Sequence, residues 1–227
     1  MTRPVKLGLM VPANNTTMEP EMLRWMPAAS RCQTLRVPRG AGLLTPESLP
    51  AYKQSAIDLA ADFTRNPVDV VAYGCTAAGF ILGPEGDASI AADLAALTGR
   101  PVVTTARAML DALCEAGARR IALLTPYQDD VNDRIRSFLL SGGIDVARLE
   151  SFHAPDVTAL GRITEQQVEE RALSMRDTDC DALFIACSQL PTINILEPLR
   201  KAFGKPVLSS IQATAHYVLR HAAAAAA

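Results

Sequence analysis

The strongest constraint on the fold is an internal repeat, because three short segments of the first half return in the second half in the same order, roughly 110 residues later. In the first two pairs an apolar run ends at a matching proline or cysteine, and in the third pair it ends at two hydroxyl side chains. The matched segments are residues 6–12 (KLGLMVP) and 120–126 (RIALLTP), 69–75 (DVVAYGC) and 181–187 (DALFIAC), and 99–105 (GRPVVTT) and 204–210 (GKPVLSS). The repeat predicts two similar lobes related by an approximate twofold axis, with a cleft between them.

Short apolar runs alternate with segments of helical periodicity, which is typical of βαβ units and parallel sheets. Hydrophobic residues make up 49% of the chain and aromatic residues only 5%, as expected of parallel strands covered on both faces. We therefore predict an α/β fold of two Rossmann-like lobes with parallel sheets, related by a pseudo-twofold. No Gly-x-Gly-x-x-Gly sequence opens a helix after a strand, so the sequence predicts no dinucleotide site.

The lobes are expected to comprise residues 1–100 with 206–221, and residues 101–205. A low-complexity tail of alanines follows at 222–227. Three segments between the elements are expected to lack regular structure: a glycine-bearing loop at 40–46, a flexible segment at 79–86 and an irregular, polar segment at 151–163.

The net charge of −2 and a pI near 5.9 give no electrostatic footprint for nucleic acid. No apolar run approaches the length of a membrane-spanning helix, and no signal-peptide pattern is present. Five cysteines without a Cys-x-x-Cys pair, and three scattered histidines, favour reduced thiols over disulfides or a zinc site. We therefore expect a cytoplasmic protein with a small-molecule partner, without a metal, nucleic acid or membrane.

Two cysteines are the principal candidates for chemistry. Cys75 and Cys187 each follow a predicted buried strand, at the end where open parallel sheets bind ligands. The twofold would place them on opposite walls of one cleft. Small residues after each cysteine predict a helix start, where free amides and the helix dipole would lower a thiol pKa. Buried cysteines are ordinarily small apolar residues, but the matched pair favours a functional role.

Polar residues at the same strand ends are candidate substrate ligands. Asn14 and Asn15 follow the first strand, although such residues are more often helix caps. Tyr127 occupies the corresponding position after Pro126. Backbone amides or hydroxyls at Thr76, Ala77, Ser188 and Gln189 could hold a carboxylate. His153 and Asp156 lie in a segment that could reach the mouth of the cleft or form a solvated loop.

Two thiols on either side of a substrate carbon suit two kinds of reaction. One thiolate can remove a proton while the opposite thiol donates one, which racemises a carbon centre. Alternatively, one thiolate adds to an electron-poor carbon while the other moves a proton. Neither reaction needs a metal or an organic cofactor. A two-lobed binding protein without chemistry is the alternative from another class.

The strand-end motifs resemble one branch of the aspartate/glutamate racemase superfamily, that of maleate cis–trans isomerases and arylmalonate decarboxylases. The resemblance extends through nearly the whole chain. It is carried by residues 11–19 (VPANNTTME), 73–76 (YGCT), 125–132 (TPYQDDVN) and 186–191 (ACSQLP). Arylmalonate decarboxylases have glycine at the position of Cys75, so the presence of both cysteines favours an isomerase or a racemase.

The resemblance implies that Cys75 adds to the double bond of maleate. The adduct rotates about the resulting single bond, and elimination gives fumarate, with Cys187 handling the proton. Asn15, Tyr127 and groups around Thr76, Ala77 and Ser188 would hold the two carboxylates, with Asn14 and Gln189 nearby. Racemisation of an amino, hydroxy or aryl acid, or a decarboxylase-like reaction, is the alternative. We also expect a homo-oligomer, either a dimer or a tetramer.

Overall fold

The computed structural model describes residues 3–39 and 42–224. Within these ranges the chain forms eight strands and eleven helices. The strands are β1 (Lys6–Pro12), β2 (Arg31–Val37), β3 (Val70–Tyr73), β4 (Val102–Thr104), β5 (Arg120–Thr125), β6 (Asp145–Ser151), β7 (Ala182–Ile185) and β8 (Val207–Ser209). The helices are α1 (Met18–Trp25), α2 (Leu49–Ala60), α3 (Asp62–Arg65), α4 (Thr76–Phe80), α5 (Gly83–Thr98), α6 (Thr105–Glu115), α7 (Asp129–Ser141), α8 (Val157–Gly161), α9 (Glu165–Leu173), α10 (Leu196–Phe203) and α11 (Ser210–Ala224).

The strands form two parallel sheets with the same internal order. The first sheet has the order β2-β1-β3-β4 and the second has the order β6-β5-β7-β8. All four residues of β3 and all four of β7 are buried, because helices cover both faces of each sheet. The two-lobed α/β architecture predicted from the repeat is therefore confirmed.

The predicted lobe boundaries need correction at two strands. Residues 102–104 were expected in the second lobe, but β4 pairs with β3 of the first sheet. Residues 207–209 were expected in the first lobe, but β8 pairs with β7 of the second sheet. Backbone hydrogen bonding between neighbouring strands therefore assigns each strand to its sheet. Helix α11, which follows β8, packs against α1 and α6 in the first half of the chain.

Three local expectations also differ from the structure. Residues 79–86 are largely helical rather than flexible, since α4 continues to Phe80 and α5 starts at Gly83. The polar segment at 151–163 contains α8, whose start is capped by the Asp156 carboxylate accepting from the Thr158 and Ala159 amides. Helix α11 extends to Ala224, so the first three alanines of the expected tail are helical.

Some expectations concern residues outside the described ranges. These are the first part of the loop at 40–46, namely residues 40 and 41, and the end of the alanine tail, residues 225–227. Among the described helices, each is too short or too polar to span a bilayer.

Candidate active site

A cavity between the two sheets collects the residues that follow four of the strands. It has a volume of about 490 Å³ including its open mouth, and it lies at the carboxyl ends of β1, β3, β5 and β7. All nine site residues expected from the sequence line it: Asn14, Asn15, Cys75, Thr76, Ala77, Tyr127, Cys187, Ser188 and Gln189. The remaining lining residues are Pro12, Arg39, Leu43, Leu44, Val131 and Leu160.

Cys75 is the residue immediately before α4, and it is buried. Burial raises the pKa of its thiol, and the positive charge of Arg39, the amides of Ala77 and Ala78 and the Tyr52 hydroxyl only partly offset this effect. The expectation that the helix start would lower this pKa is therefore wrong. A short helix of five residues supplies few free amides, and loss of water around the sulfur outweighs them.

Cys187 faces the same cavity from the second sheet. Its φ of 139° lies in a region that L-residues rarely adopt, so its backbone is strained. Its amide donates to Ser210 Oγ at 3.0 Å, and its sulfur accepts from the Gln189 amide at 3.4 Å. Burial raises its thiol pKa to about 11, so this group also departs from the expected direction.

Several side chains that were expected to bind the substrate form hydrogen bonds between the two halves of the chain. Asn15 Nδ2 donates to Ser188 Oγ at 3.1 Å, and Ser188 Oγ donates to the Gly74 carbonyl at 2.7 Å. Gln189 Oε1 accepts from the Thr16 amide at 3.1 Å. The side chains of Ser188 and Gln189 therefore first align the walls of the cavity, and the second Nδ2 proton of Asn15 remains for a ligand.

Tyr127 and Asn14 have polar atoms without partners. The Tyr127 hydroxyl is buried, and neither it nor Asn14 Oδ1 has a hydrogen-bond partner among the described residues. The Tyr127 hydroxyl lies close enough to Cys187 to lower that thiol's pKa, and burial holds its own pKa well above the usual value. Because buried polar groups are normally paired, an unpaired hydroxyl donor inside a cavity indicates a place for a ligand.

The structure does not bring His153 and Asp156 into the cavity. His153 Nε2 lies 2.9 Å from Asp129 Oδ1 at an exposed position, and Asp156 caps α8. The sequence analysis missed Arg39 and the apolar wall of Leu43, Leu44, Val131 and Leu160. For Arg39 a usable signal existed, since it follows β2 at the same edge of the sheet as the other site residues.

Nothing in the described part of the chain suggests a metal centre: no three His, Cys, Asp or Glu side chains cluster in ligating positions there. A second, larger groove between α5, α6 and α11 contains the buried Asp87, but neither Cys75 nor Cys187 lines it. The cavity with both cysteines is therefore the candidate active site.

Comparisons with known proteins identify the family of the chain. The family model for arylmalonate decarboxylase matches residues 7–227. A maleate isomerase from Geobacillus stearothermophilus is 27% identical over 236 residues, covering 97% of this chain and 92% of that protein.

Two solved structures are similar over nearly the whole chain. The maleate isomerase Iso from Pseudomonas putida S16 has a TM-score of 0.88 at 26% identity, covering 96% of this chain and 92% of that one. A cysteine-to-serine mutant of the Nocardia farcinica maleate cis–trans isomerase, with a covalently bound succinylcysteine intermediate, has a TM-score of 0.86 at 27% identity, covering 96% and 93%. The chain belongs to the arylmalonate decarboxylase family, whose fold and two-lobed architecture it shares with maleate isomerases.

Proposed function

We propose that the protein is a cofactor-independent isomerase that converts maleate to fumarate through a covalent bond to Cys75. The observation that carries the proposal is the presence of two buried cysteines, from equivalent strand ends of the two sheets, in one cavity of a chain in this family. The covalent succinylcysteine seen in the Nocardia relative supports the same chemistry.

In the proposed reaction the Cys75 thiol first releases its proton to solvent. The resulting thiolate forms a C–S bond to one alkene carbon, and the π electrons move towards the carboxylate on the other carbon. The Cys187 thiol donates its proton to that second carbon, which gives a succinyl thioether. Rotation about the new single bond reverses the geometry. Cys187 then removes a proton from the same carbon, the C–S bond breaks and fumarate leaves. The steps balance without an oxidant, a reductant or a metal.

The carboxylates need donors within reach of both cysteines. We propose the Tyr127 hydroxyl, the remaining Asn15 amide proton and the Thr76 and Ala77 amides for this role, because the cavity brings them together. Ser188 and Gln189 act by fixing the wall around Cys187, as their hydrogen bonds across the cavity indicate. Asn14 adds a further polar side chain to the cavity wall beside Asn15.

The test is incubation with maleate in D₂O, with fumarate followed by proton NMR. We expect fumarate from the unmodified protein and from Cys32→Ser, whose thiol lies outside the cavity. Cys75→Ser is expected to lose nearly all turnover, and Cys187→Ser to lose roughly 10²- to 10⁴-fold, as for loss of a general acid. Absence of fumarate from the unmodified protein would refute the substrate. Turnover retained by Cys75→Ser would refute covalent catalysis.

A second candidate is favoured by the apolar wall of Leu43, Leu44, Val131 and Leu160. This wall fits a hydrocarbon substituent that maleate lacks, as in an aryl- or alkyl-substituted acid. One thiolate would remove the α-proton and the opposite thiol would return one, which racemises the acid. Incubation of one enantiomer of an arylpropionate in D₂O tests this reaction. Racemisation with α-deuterium incorporation supports it, and unchanged optical purity excludes it.

We further propose that the enzyme works in the cytoplasm, since all five cysteines are free thiols and such thiols persist in a reducing compartment. The expected homo-oligomer also remains a proposal. Light scattering of the purified protein would give its mass in solution.

A further inference from the structure

Among the described residues that line the cavity, Arg39 is the one with a formal charge. It follows β2 (Arg31–Val37) at the carboxyl end of the first sheet, where Asn14 and Cys75 also lie. Within residues 3–39 and 42–224, no acidic side chain lines the cavity with it. Its charge acts on both thiols, since it lowers the pKa of Cys75 and that of Cys187 against the larger, opposing effect of burial.

The guanidinium is poorly paired within the described protein. Its Nη2 donates to the Gly42 carbonyl at 3.3 Å, and its buried Nε has no partner among residues 3–39 and 42–224. Arg36, three residues earlier, contrasts with it. Arg36 makes an ion pair with Glu19 at 2.9 Å and donates to the Asn15 carbonyl at 2.6 Å.

Leaving a partly buried cation without an anion is costly, because the charge loses hydration and gains no Coulomb attraction in return. If Arg39 had a purely structural role, we would expect it to pair with a carboxylate of the protein, as Arg36 pairs with Glu19. A fork of guanidinium donors matches a carboxylate in geometry as well as in charge. The missing anion is therefore best supplied by a ligand in the cavity.

We propose that Arg39 binds the second carboxylate of the substrate and makes the enzyme selective for dianionic over monoanionic acids. The inference rests on the proposed function to the extent that a carboxylic acid occupies this cavity. It goes beyond that function because it names the residue that rejects monoacids. Tyr127 and the amides after Cys75 would hold the first carboxylate.

Ligand binding tests the proposal without any turnover. Succinate has two carboxylates but no double bond, so it cannot accept a thiolate, and monomethyl succinate has one charge fewer. We expect succinate to bind the unmodified protein more tightly than its monoester in calorimetric titrations. Arg39→Gln should weaken succinate binding about 10²-fold, as for loss of a charged hydrogen bond, and leave the monoester unchanged. Arg39→Lys should lie between them.

Arg31→Gln is the matched control, because Arg31 lies at the exposed opposite end of the same strand. Its succinate affinity should equal that of the unmodified protein. Equal succinate binding by Arg39→Gln and the unmodified protein would overturn the proposal, as would failure of the unmodified protein to bind succinate.

Measurements of turnover separate a failure of the Arg39 proposal from a failure of the proposed isomerase function. The rate with maleate is compared with the rate for its monomethyl ester, in the unmodified protein and in Arg39→Gln. If the unmodified protein isomerises neither, the proposed function fails, and the succinate titration still decides the role of Arg39. If it isomerises maleate and Arg39→Gln keeps the same preference for maleate over the ester, the selectivity proposal fails and the proposed function stands.

Discussion

The most constrained single residue of the site is Cys187. Its φ of 139° belongs to a region that costs a non-glycine residue about 1–3 kcal/mol, so surrounding contacts must enforce it. The clearest of these contacts is Ser210, a fully buried residue whose Oγ accepts from the Cys187 amide at 3.0 Å. The Thr76 hydroxyl lies 3.3 Å from the same oxygen. Ser210 therefore joins the backbone amide of Cys187 to the side chain of Thr76, the residue that follows Cys75.

Replacing Ser210 by alanine should slow the reaction more than it harms the fold. The buried Cys187 amide would lose its acceptor, which costs about 1–3 kcal/mol. The sulfur would also leave its aligned position, so we expect kcat for maleate to fall about tenfold or more with little change in KM. Thr105→Val is the matched control, because Thr105 holds the corresponding place after β4 and donates to the Tyr73 carbonyl instead. Equal kcat values for the two variants in steady-state assays would contradict a positioning role for Ser210.

For single residues, the sequence predicted the place of a side chain in the fold better than it predicted the pKa of that side chain. Strand periodicity and the repeat identified Cys75 and Cys187, because a side chain's place at a strand end follows from local pattern. The direction of their pKa shifts did not follow, since the burial that raises both values depends on how elements far apart along the chain pack together. The position of Arg39 after β2 could have been noticed in the sequence, but its lack of a hydrogen-bond partner at Nε is visible only when its surroundings are known.

Among the elements, the contact of α5 with β4 contains a carboxylate that does not belong to the active site. Asp87 is only 4% exposed, and its Oδ2 accepts from Thr104 Oγ1 at 2.7 Å. Its Oδ1 has no partner in the described structure, and Gly79 of α4 approaches it so closely that an added Cβ would lie 2.7 Å away. Burial raises the pKa of this carboxyl from 3.8 to about 6.

Asp87→Asn should therefore stabilise the protein in a pH-dependent way. The folded state holds the proton up to a pH of about 6 and the unfolded state only to about 3.8, so the stability contributed by the protonated form is present below 3.8 and is lost as pH rises through 6. Asparagine stays neutral and can still accept from Thr104. In urea unfolding we expect the variant to gain about 2 kcal/mol at pH 8 and little at pH 4.

Asp93→Asn, on the same helix, provides the control, because Asp93 is half exposed and pairs with Lys53. It should show no gain at pH 8. A loss of stability by Asp87→Asn of the same size at both pH values would mean that the carboxylate carries no burial penalty.

The segment around Asp87 also shows where prediction of elements was wrong. The glycines at 79, 83 and 86 suggested a flexible segment, whereas two of them start or lie within α5 and Gly79 lies in α4. Gly79 is required by packing, since a Cβ there would lie 2.5 Å from Ala106 Cβ. Composition alone could not distinguish a glycine that loosens the chain from one that lets two helices approach. The central strands β1, β3, β5 and β7 were predicted correctly, because buried parallel strands consist of continuous apolar runs that can be recognised in the sequence.

For the whole molecule, the repeat predicted two matching sheets but not how they are joined. The helix that follows β1 reaches across to the loop that follows β7. Besides the contacts of Asn15 and Thr16, the Glu21 carboxylate accepts from the Thr192 amide at 2.8 Å and from its hydroxyl at 3.1 Å. Glu21 is only 5% exposed, and burial raises its pKa. The carboxylate thus holds the loop after Cys187 against the first half, an arrangement that no local pattern encodes.

Glu21→Ala should consequently loosen the loop after Cys187 together with α1. The Thr192 amide would lose a charged acceptor within a buried contact, which costs about 2–3 kcal/mol. Glu21→Gln keeps one carbonyl acceptor for that amide and should lose less. Glu19→Ala, two residues earlier in the same helix, removes only a partly exposed ion pair with Arg36 and should cost less than about 1 kcal/mol.

Hydrogen exchange separates these cases: in Glu21→Ala we expect faster exchange in α1 and in residues 188–194 alike, with a lower kcat/KM for maleate. Faster exchange confined to α1 would show that the contact stabilises one helix and does not couple the two halves around the active site.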